Sequence, residues 1–480
     1  MNLNQTLQEK YPHLEVSVLK LSEVKKNIDF RIDDSFWTMK LIYNNKLNYK
    51  KIGECLLKSQ YGISINMNEG GDGIPIYRMN DIDNMLCNFE VKKYALIDKN
   101  ELQTFRLNYG DVLFNRTNSY EFVGRTGIFY NNRENFVFAS YLVRLVCNKE
   151  ILLPEYLTVF LNTHIGKKEI RRRARPSINQ TNVNPEELKE IKIPIFPMEF
   201  QLEIQNLVKD SHKALEESKE LYKKAEETLY LELGLDPKNP LQSLLDSKTN
   251  NPTNSPNISI HTLKESFLKT GRLDSEYYQK KYEINEKIIM NKKYTVLDNL
   301  VSITKSIEPG SNLYKNKGIP FIRVTNLTQY GLSEGDVFLD EKDFFPQYLQ
   351  ILYPKKDTIL FSKDGSVGIA YCVKEDKEVI TSGAILHLNI KDKENILPEY
   401  LTLFLNSIFV KLQAQRDCGG SIISHWRIED IKKVLVAILD IKIQEKIAKY
   451  IQESFNLRKK SKQLLDNAKI KVEEQIQGKV

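Results

Sequence analysis

Small and apolar residues recur at every seventh position in two stretches of the chain. Ile204, Ser211, Ser218 and Ala225 mark one seam of the first stretch, and Leu207/Val208, Ala214/Leu215, Leu221/Tyr222 and Thr228/Leu229 mark the other. In the second stretch Ile447, Ser454, Ser461 and Ala468 match the first set one for one. Tyr450/Ile451, Leu457, Leu464/Leu465 and Val472 match the second set. Such heptads predict two long amphipathic helices whose small seam residues let them pair closely. Packing of each helix on its own globular domain is the competing expectation. Shorter apolar runs, Asp111-Val112-Leu113-Phe114 and Asp357-Thr358-Ile359-Leu360-Phe361, predict strands that end in polar loops. Proline opens a helix at Pro154 and again at Pro398.

These elements belong to a repeat. Gly73-Ile74-Pro75-Ile76-Tyr77-Arg78 returns as Gly318-Ile319-Pro320-Phe321-Ile322-Arg323, and Leu153-Pro154-Glu155-Tyr156-Leu157-Thr158 returns as Leu397-Pro398-Glu399-Tyr400-Leu401-Thr402. Arg31-Ile32-Asp33 answers Arg272-Leu273-Asp274, and Gln201-Leu202-Glu203-Ile204 answers Gln444-Glu445-Lys446-Ile447 more loosely. The offset stays at about 243 residues, so the chain is one duplication of a domain rather than a short-period solenoid.

Charge sharpens the pairing expectation. Residues 199–232 hold nine acidic and five basic side chains, and residues 441–480 hold five acidic and ten basic. Opposite signs beside matching seams suit a heterotypic pair within one chain. Between the copies, Gly234 to His261 carries Pro237, Pro240, Pro252 and Pro256 among polar residues, which predicts a linker. The net charge of +7 over 480 residues permits nucleic-acid binding without arguing for it. Five scattered cysteines, none in a Cys-x-x-Cys pair, argue against disulfides and a zinc ribbon. A polar N-terminus and the lack of a long apolar run predict a cytoplasmic protein.

Catalytic patterns are missing: there is no phosphate loop, dinucleotide fingerprint, His-Glu-x-x-His or Gly-x-Ser-x-Gly. Binding signals are local and basic. Lys167-Lys168-Glu169-Ile170-Arg171-Arg172-Arg173-Ala174-Arg175 holds six cations and one acid, a density suited to phosphates, with a solvated helix face as the alternative. The Pro176-Ser177-Ile178-Asn179-Gln180-Thr181-Asn182 that follows adds amides able to read base edges. At the equivalent place copy two has Gly419-Gly420-Ser421-Ile422-Ile423-Ser424-His425-Trp426-Arg427, where Trp426 suits the core as well as a DNA contact. The loops after the central strands, Asn115-Arg116-Thr117-Asn118-Ser119 with Val123-Gly124-Arg125 and Ser362-Lys363-Asp364-Gly365-Ser366-Val367-Gly368, differ in the same way. The DNA-contact candidates are Arg78, Asn115, Arg116, Arg125, Arg171, Arg172, Arg173, Arg175, Asn179 and Gln180 in copy one. Those in copy two are Arg323, Lys363, Arg416, His425 and Arg427.

The ordered set formed by Gly110-Asp111-Val112-Leu113-Phe114-Asn115-Arg116, the paired Pro-Glu-Tyr-Leu segments, Ile193-Pro194-Ile195-Phe196-Pro197 and the duplication resembles the specificity subunits of type I restriction–modification systems. Copy two departs from it where Ala437-Ile438-Leu439-Asp440 lacks the prolines and Cys418-Gly419-Gly420 replaces Ala174-Arg175-Pro176. The resemblance implies an α+β fold with an internal pseudo-two-fold repeat, in which two globular mixed α/β target-recognition domains are separated by two long antiparallel coiled-coil helices. The expected divisions are 1–198, a first recognition domain; 199–233, a spacer helix; 234–262, a linker; 263–440, a second recognition domain; and 441–480, a second spacer helix. The resemblance further implies a non-catalytic subunit that binds double-stranded DNA, two methyltransferase (modification) subunits and restriction subunits. No cofactor or metal is expected on this chain; S-adenosylmethionine, ATP and Mg2+ are expected on the partners. Arg31, Asp33, Arg272 and Asp274 are the partner-contact candidates. A specificity subunit of a type II-like system, or a coiled-coil scaffold that binds no DNA, stays open as an alternative.

Overall fold

A computed structural model describes all residues except 1–2, 15, 17, 40, 42, 89, 132–134, 179, 247–259, 420–423 and 479–480. The chain forms two compact units. One joins Met1–Glu216 to Arg458–Val480, and the other is Glu217–Leu457.

In the first unit the strands that position the candidate loops are β1 (Leu56–Tyr61), β2 (Ile82–Asp83), β3 (Leu86–Cys87), β4 (Val112–Asn115), β5 (Thr117–Asn118), β6 (Thr126–Ile128), β7 (Leu142–Cys147), β8 (Arg175–Pro176) and β9 (Thr181–Asn182). Six of them form one sheet in the order β1-β7-β4-β6-β3-β2. Alternation along β4 divides its side chains between two clusters. Val112 and Phe114 join a core with Tyr156 and Phe160, while Leu113 joins Phe129, Phe136 and Phe138. Two helices follow the sheet, α1 (Pro154–Asn162) with proline in its first turn and α2 (His164–Arg173), capped by the Thr163 hydroxyl accepting from Gly166 N–H at 3.0 Å. The long helix α3 spans Met198–Glu232.

The second unit repeats this frame. Strands β10 (Val301–Lys305), β11 (Ile359–Ser362), β12 (Ala370–Cys372) and β13 (Ile385–Ile390) form a sheet in the order β10-β13-β11-β12. Registers agree: Asn115 faces Leu142 in the first unit and Ser362 faces Ile385 in the second. Helices α4 (Pro398–Asn406), α5 (Ile408–Asp417) and α6 (Ile441–Gln477) answer α1, α2 and the long helix. The Gly-Ile-Pro blocks also have one cause. A Cβ at Gly73 or at Gly318 would lie 2.2 Å from a carbonyl oxygen, of Ala95 or Leu339, and both have positive φ (104° and 136°).

Several shared residues bond the backbone of a neighbouring element. Gln201 accepts from Leu153 N–H at 2.9 Å and donates to Phe196 O at 3.0 Å. Gln444 accepts from Leu397 N–H at 3.0 Å and donates to Leu439 O at 2.9 Å. Tyr156 donates to Pro194 O and Tyr400 to Ala437 O, at 2.8 and 2.7 Å. The loosest sequence block thus carries one of the firmest links.

The heptad seams face each other. In the first unit Ser211 and Ser461 hydroxyls meet at 2.8 Å, and Lys471 pairs with Glu203 at 2.6 Å, so α3 and α6 run antiparallel there. In the second unit Ser218 and Ser454 meet at 3.0 Å, and Ser454 donates to Ser218 O at 2.7 Å. Each helix also packs on its unit's core: Ile204 and Val208 with Ala468 and Val472 in the first, Ala225 and Leu229 with Ile447 and Ile451 in the second. The 234–262 linker needs correction. Leu235 and Leu244 are buried in the second unit's core, the latter on a helix Pro240–Asp246, because proline starts a helix there instead of breaking one.

Candidate nucleic-acid interface

At the end of β4 the chain turns into β5, which pairs with β9, itself paired with β8. The loop after the central strand and the hairpin after α2 thereby become one surface, closed by Val183 N–H donating to Arg116 O at 2.9 Å. Arg116 stacks over the exposed Tyr61 ring at 5.0 Å and donates Nε–H to Ser140 O at 3.0 Å. Arg125 lies over Phe122 at 4.0 Å and Arg171 over Tyr120 at 5.7 Å, and both rings are exposed. Sequence reasoning missed these three rings; aromatics interrupting a polar loop, as in Ser119-Tyr120-Glu121-Phe122, were the available signal. Gln180 is exposed at the hairpin, while Asn179 lies outside the described residues.

Much of the basic run is used internally. Arg173 is buried and ion-paired with Glu169, which also accepts from the Tyr43 hydroxyl, so its assignment as a DNA contact is withdrawn. Arg172 is half-buried on the Phe36 ring at 4.2 Å and donates to Phe36 O at 2.7 Å. Arg175, though exposed, pairs with Asp29 and with Glu187 at 3.3 Å. Asn115 is also corrected. It is fully buried, and its amide oxygen accepts from Thr117 N–H at 3.3 Å, so it shapes the loop. Arg78 pairs with Asp81 at 3.4 Å.

The second unit brings its own two segments together. Trp426 N–H donates to Lys363 O at 2.8 Å and Gly365 N–H to Ser424 O at 2.9 Å. The Asp364 carboxylate sits between the Lys363 ammonium and His425 Nδ1, the latter at 2.9 Å. His425 is exposed, but Trp426 is buried at 1% exposure against Phe361 and belongs to the core. Arg416 is corrected as well: it is half-buried and held by Glu286 and Asp417, the latter at 2.8 Å. Arg323 forks onto Asp336 at 2.6 and 2.9 Å, and Arg427 pairs with Asp430 at 2.7 Å.

Arg31 and Arg272 play one structural role. Each forks onto the aspartate two residues on, with closest contacts of 2.6 Å to Asp33 and Asp274. Each also donates to the last turn of a helix, Arg31 to Arg173 O at 2.9 Å and Arg272 to Arg416 O at 3.2 Å, where a cation is favoured. Arg31 is buried and also meets Glu187 at 3.2 Å, so it offers a partner no surface and that assignment is withdrawn. The residues between, Ile32 and Leu273, are 80% and 69% exposed. Among the described residues no cluster of three or more His, Cys, Asp or Glu could hold a metal, and no helix is long and apolar enough to cross a membrane.

A family model described as the type I restriction modification DNA specificity domain matches residues 64–227 and again 291–467. The putative type I restriction enzyme MjaX specificity subunit of Methanocaldococcus jannaschii is 30% identical over 151 residues, 31% of this chain and 35% of that one. The type I restriction enzyme EcoKI specificity subunit of Escherichia coli K12 is 27% identical over 161 residues, 33% and 34% of the two chains. The chain thus matches about a third of the length of these curated relatives. A solved type I restriction–modification S subunit from M. genitalium aligns over 90% of this chain and 96% of that one at 15% identity, with a TM-score of 0.40.

Proposed function

Because the chain belongs to the type I restriction–modification specificity family, we propose that it is the DNA-recognition subunit of a restriction–modification complex. Each repeat reads one half of a bipartite, asymmetric target in duplex DNA. The observation that carries this reading is the recurrence of one construction with different chemistry. In both units the loop after the central strand closes on the segment after the second helix, through Val183 to Arg116 at 2.9 Å and Trp426 to Lys363 at 2.8 Å. Arginines on aromatic rings stand on the first surface, and a Lys363-Asp364-His425 cluster stands on the second. Two unlike surfaces on one frame suit two unlike half-sites.

The chain does no chemistry and works in the cytoplasm. It binds two modification (methyltransferase) subunits, which carry S-adenosylmethionine, and through the assembled complex the restriction subunits with ATP and Mg2+. A near two-fold repeat offers the same patch twice to an identical partner. Ile32 and Leu273, exposed at equivalent places beside locked Arg–Asp pairs, support that contact.

The test is methylation mapping of a strain whose residues 50–190 are exchanged for those of a homologue. One half-site should change and the other persist; a target altered in both halves defeats the reading. Co-purification identifies the enzymatic partner, and a type II-like partner would replace the type I assignment of the complex.

A further inference from the structure

The two recognition loops share a neck and differ in what hangs from it. Gly124 N–H donates to Asn115 O at 2.7 Å, and Gly368 N–H donates to Ser362 O at 2.9 Å. Both glycines have positive φ, 86° and 84°. Between neck residues the first loop runs from Arg116 to Val123 and the second from Lys363 to Val367, so the first is longer by Tyr120-Glu121-Phe122.

That insertion does not stand alone. Arg125 lies over Phe122 and Arg171 over Tyr120, at 4.0 and 5.7 Å. The residue after the neck glycine in copy two is Ile369, in place of Arg125. Helices α2 and α5 each run ten residues between equivalent ends, Thr163 to Ala174 and Ser407 to Cys418, so Arg171 corresponds to Gln415, which is exposed and carries no charge. Two rings and two arginines are therefore present together in one copy and absent together in the other.

Among the described residues neither guanidinium forms a hydrogen bond or an ion pair, with Glu121 or any other group. Arg31, Arg78, Arg144, Arg173, Arg175, Arg272, Arg323, Arg416 and Arg427, by contrast, are all paired with carboxylates. A ring restrains a guanidinium by its face and leaves the donor edge unused, which is the arrangement a tetrahedral anion needs. The loop itself is fixed from behind, since a Cβ at Gly124 would lie 2.6 Å from Ile170 of α2.

Resting on the DNA-recognition reading, we propose that Arg125 and Arg171, held by Phe122 and Tyr120, clamp two backbone phosphates beside the first half-site. Copy two has no such clamp, so the first repeat contributes more of the salt-sensitive affinity. The clamp holds the duplex and does not read it.

Two variants of the full chain, in complex with its co-purifying subunits, test this on a duplex carrying the mapped target. One is Arg125→Ala with Arg171→Ala. The other removes residues 120–122, which copies the second loop and keeps the neck. In the double substitution the log–log salt slope should fall by about 1.8, ~0.9 per phosphate, so that going from ~50 to ~200 mM salt costs about tenfold less affinity than in the parent. The deletion should lower the slope in the same direction, and methylation mapping should return the parent's half-sites for both. An unchanged slope with a salt-sensitive parent overturns the clamp. A changed first half-site makes these arginines base readers and also overturns it. A parent with no salt-dependent binding to duplex DNA defeats the DNA-recognition reading itself.

Discussion

The two recognition surfaces are built on equivalent strands with equivalent registers, yet their charged residues are disposed in opposite ways. In the first unit Arg116, Arg125 and Arg171 lean on aromatic rings. In the second, Lys363 and His425 both lean on one carboxylate, Asp364. Some residues that bond another element's backbone are the same in both copies, Gln201 with Gln444 and Tyr156 with Tyr400. Side chains beyond the strand ends are free to differ. The duplication therefore separates a maintained frame from replaceable surface side chains.

The largest expected effect comes from the buried ends of the second helices. Arg173→Ala leaves Glu169, with a side chain only 1% exposed, without its guanidinium, and breaking such a buried pair costs about 3–5 kcal/mol. Arg416→Ala should cost less, because Glu286 and Asp417 keep 29% and 13% exposure. Each loss should appear only in its own unit's hydrogen exchange. Equal losses in both units would mean that the two frames do not fold independently.

Acidification should separate the units next. His387, on β13, is buried beside the Thr381 hydroxyl at 2.8 Å, and burial pushes its pKa down to about 4. From pH ~6.5 down to ~4 the unfolded chain binds a proton that the folded chain does not. Stability of the second unit then falls as pH drops, by roughly 3 kcal/mol in all. The first unit places Arg144 at the equivalent position, near Asp111 at 3.5 Å. Burial raises the Asp111 carboxyl despite that guanidinium, so acid favours its folded form. Hydrogen exchange at pH 7 and pH 5 should show the second unit loosening first, and His387→Gln should abolish the difference. Parallel loosening in the variant and the parent would assign the effect elsewhere.

The smallest effect is expected at the loop after the central strand of copy two. Asp364→Asn releases Lys363 and makes this surface more like the first. The salt slope for duplex binding should steepen by about 0.9 or less. A shallower slope would show that the carboxylate, and not the ammonium, organises the contact.

The frame was legible because matched blocks carry it: the heptad seams, the Pro-Glu-Tyr-Leu helices and the strands after Asp111 and Asp357 all lie where periodicity placed them. The fate of individual cations was harder to read. A basic run gives density but not direction, and direction follows from helical phase. Gly166, Glu169, Ile170 and Arg173 form the buried face of α2, at the spacing of an inward stripe, so Ile170 already pointed Arg173 inward. Arg31 carried no such cue, because its carboxylate partner Glu187 lies far along the chain. The rings of Tyr120 and Phe122 sit in a loop that is otherwise polar, and Tyr61 ends β1 outside every repeated block, so neither place is marked by periodicity or by the repeat.

Synthesis meets the two units differently. The second unit is a continuous stretch, Glu217–Leu457, whereas the first is completed by Arg458–Val480. Leu465, Ala468 and Val472 cover Ile204 and Val208 in its core. At ribosomal speeds the completing segment emerges some tens of seconds after the rest of the first unit. During that interval the earlier repeat stands with an uncovered apolar flank, whereas the later one has its whole chain as soon as Leu457 emerges. A chain cut short near residue 457 would keep its second unit whole and strip Leu465, Ala468 and Val472 from the core of its first.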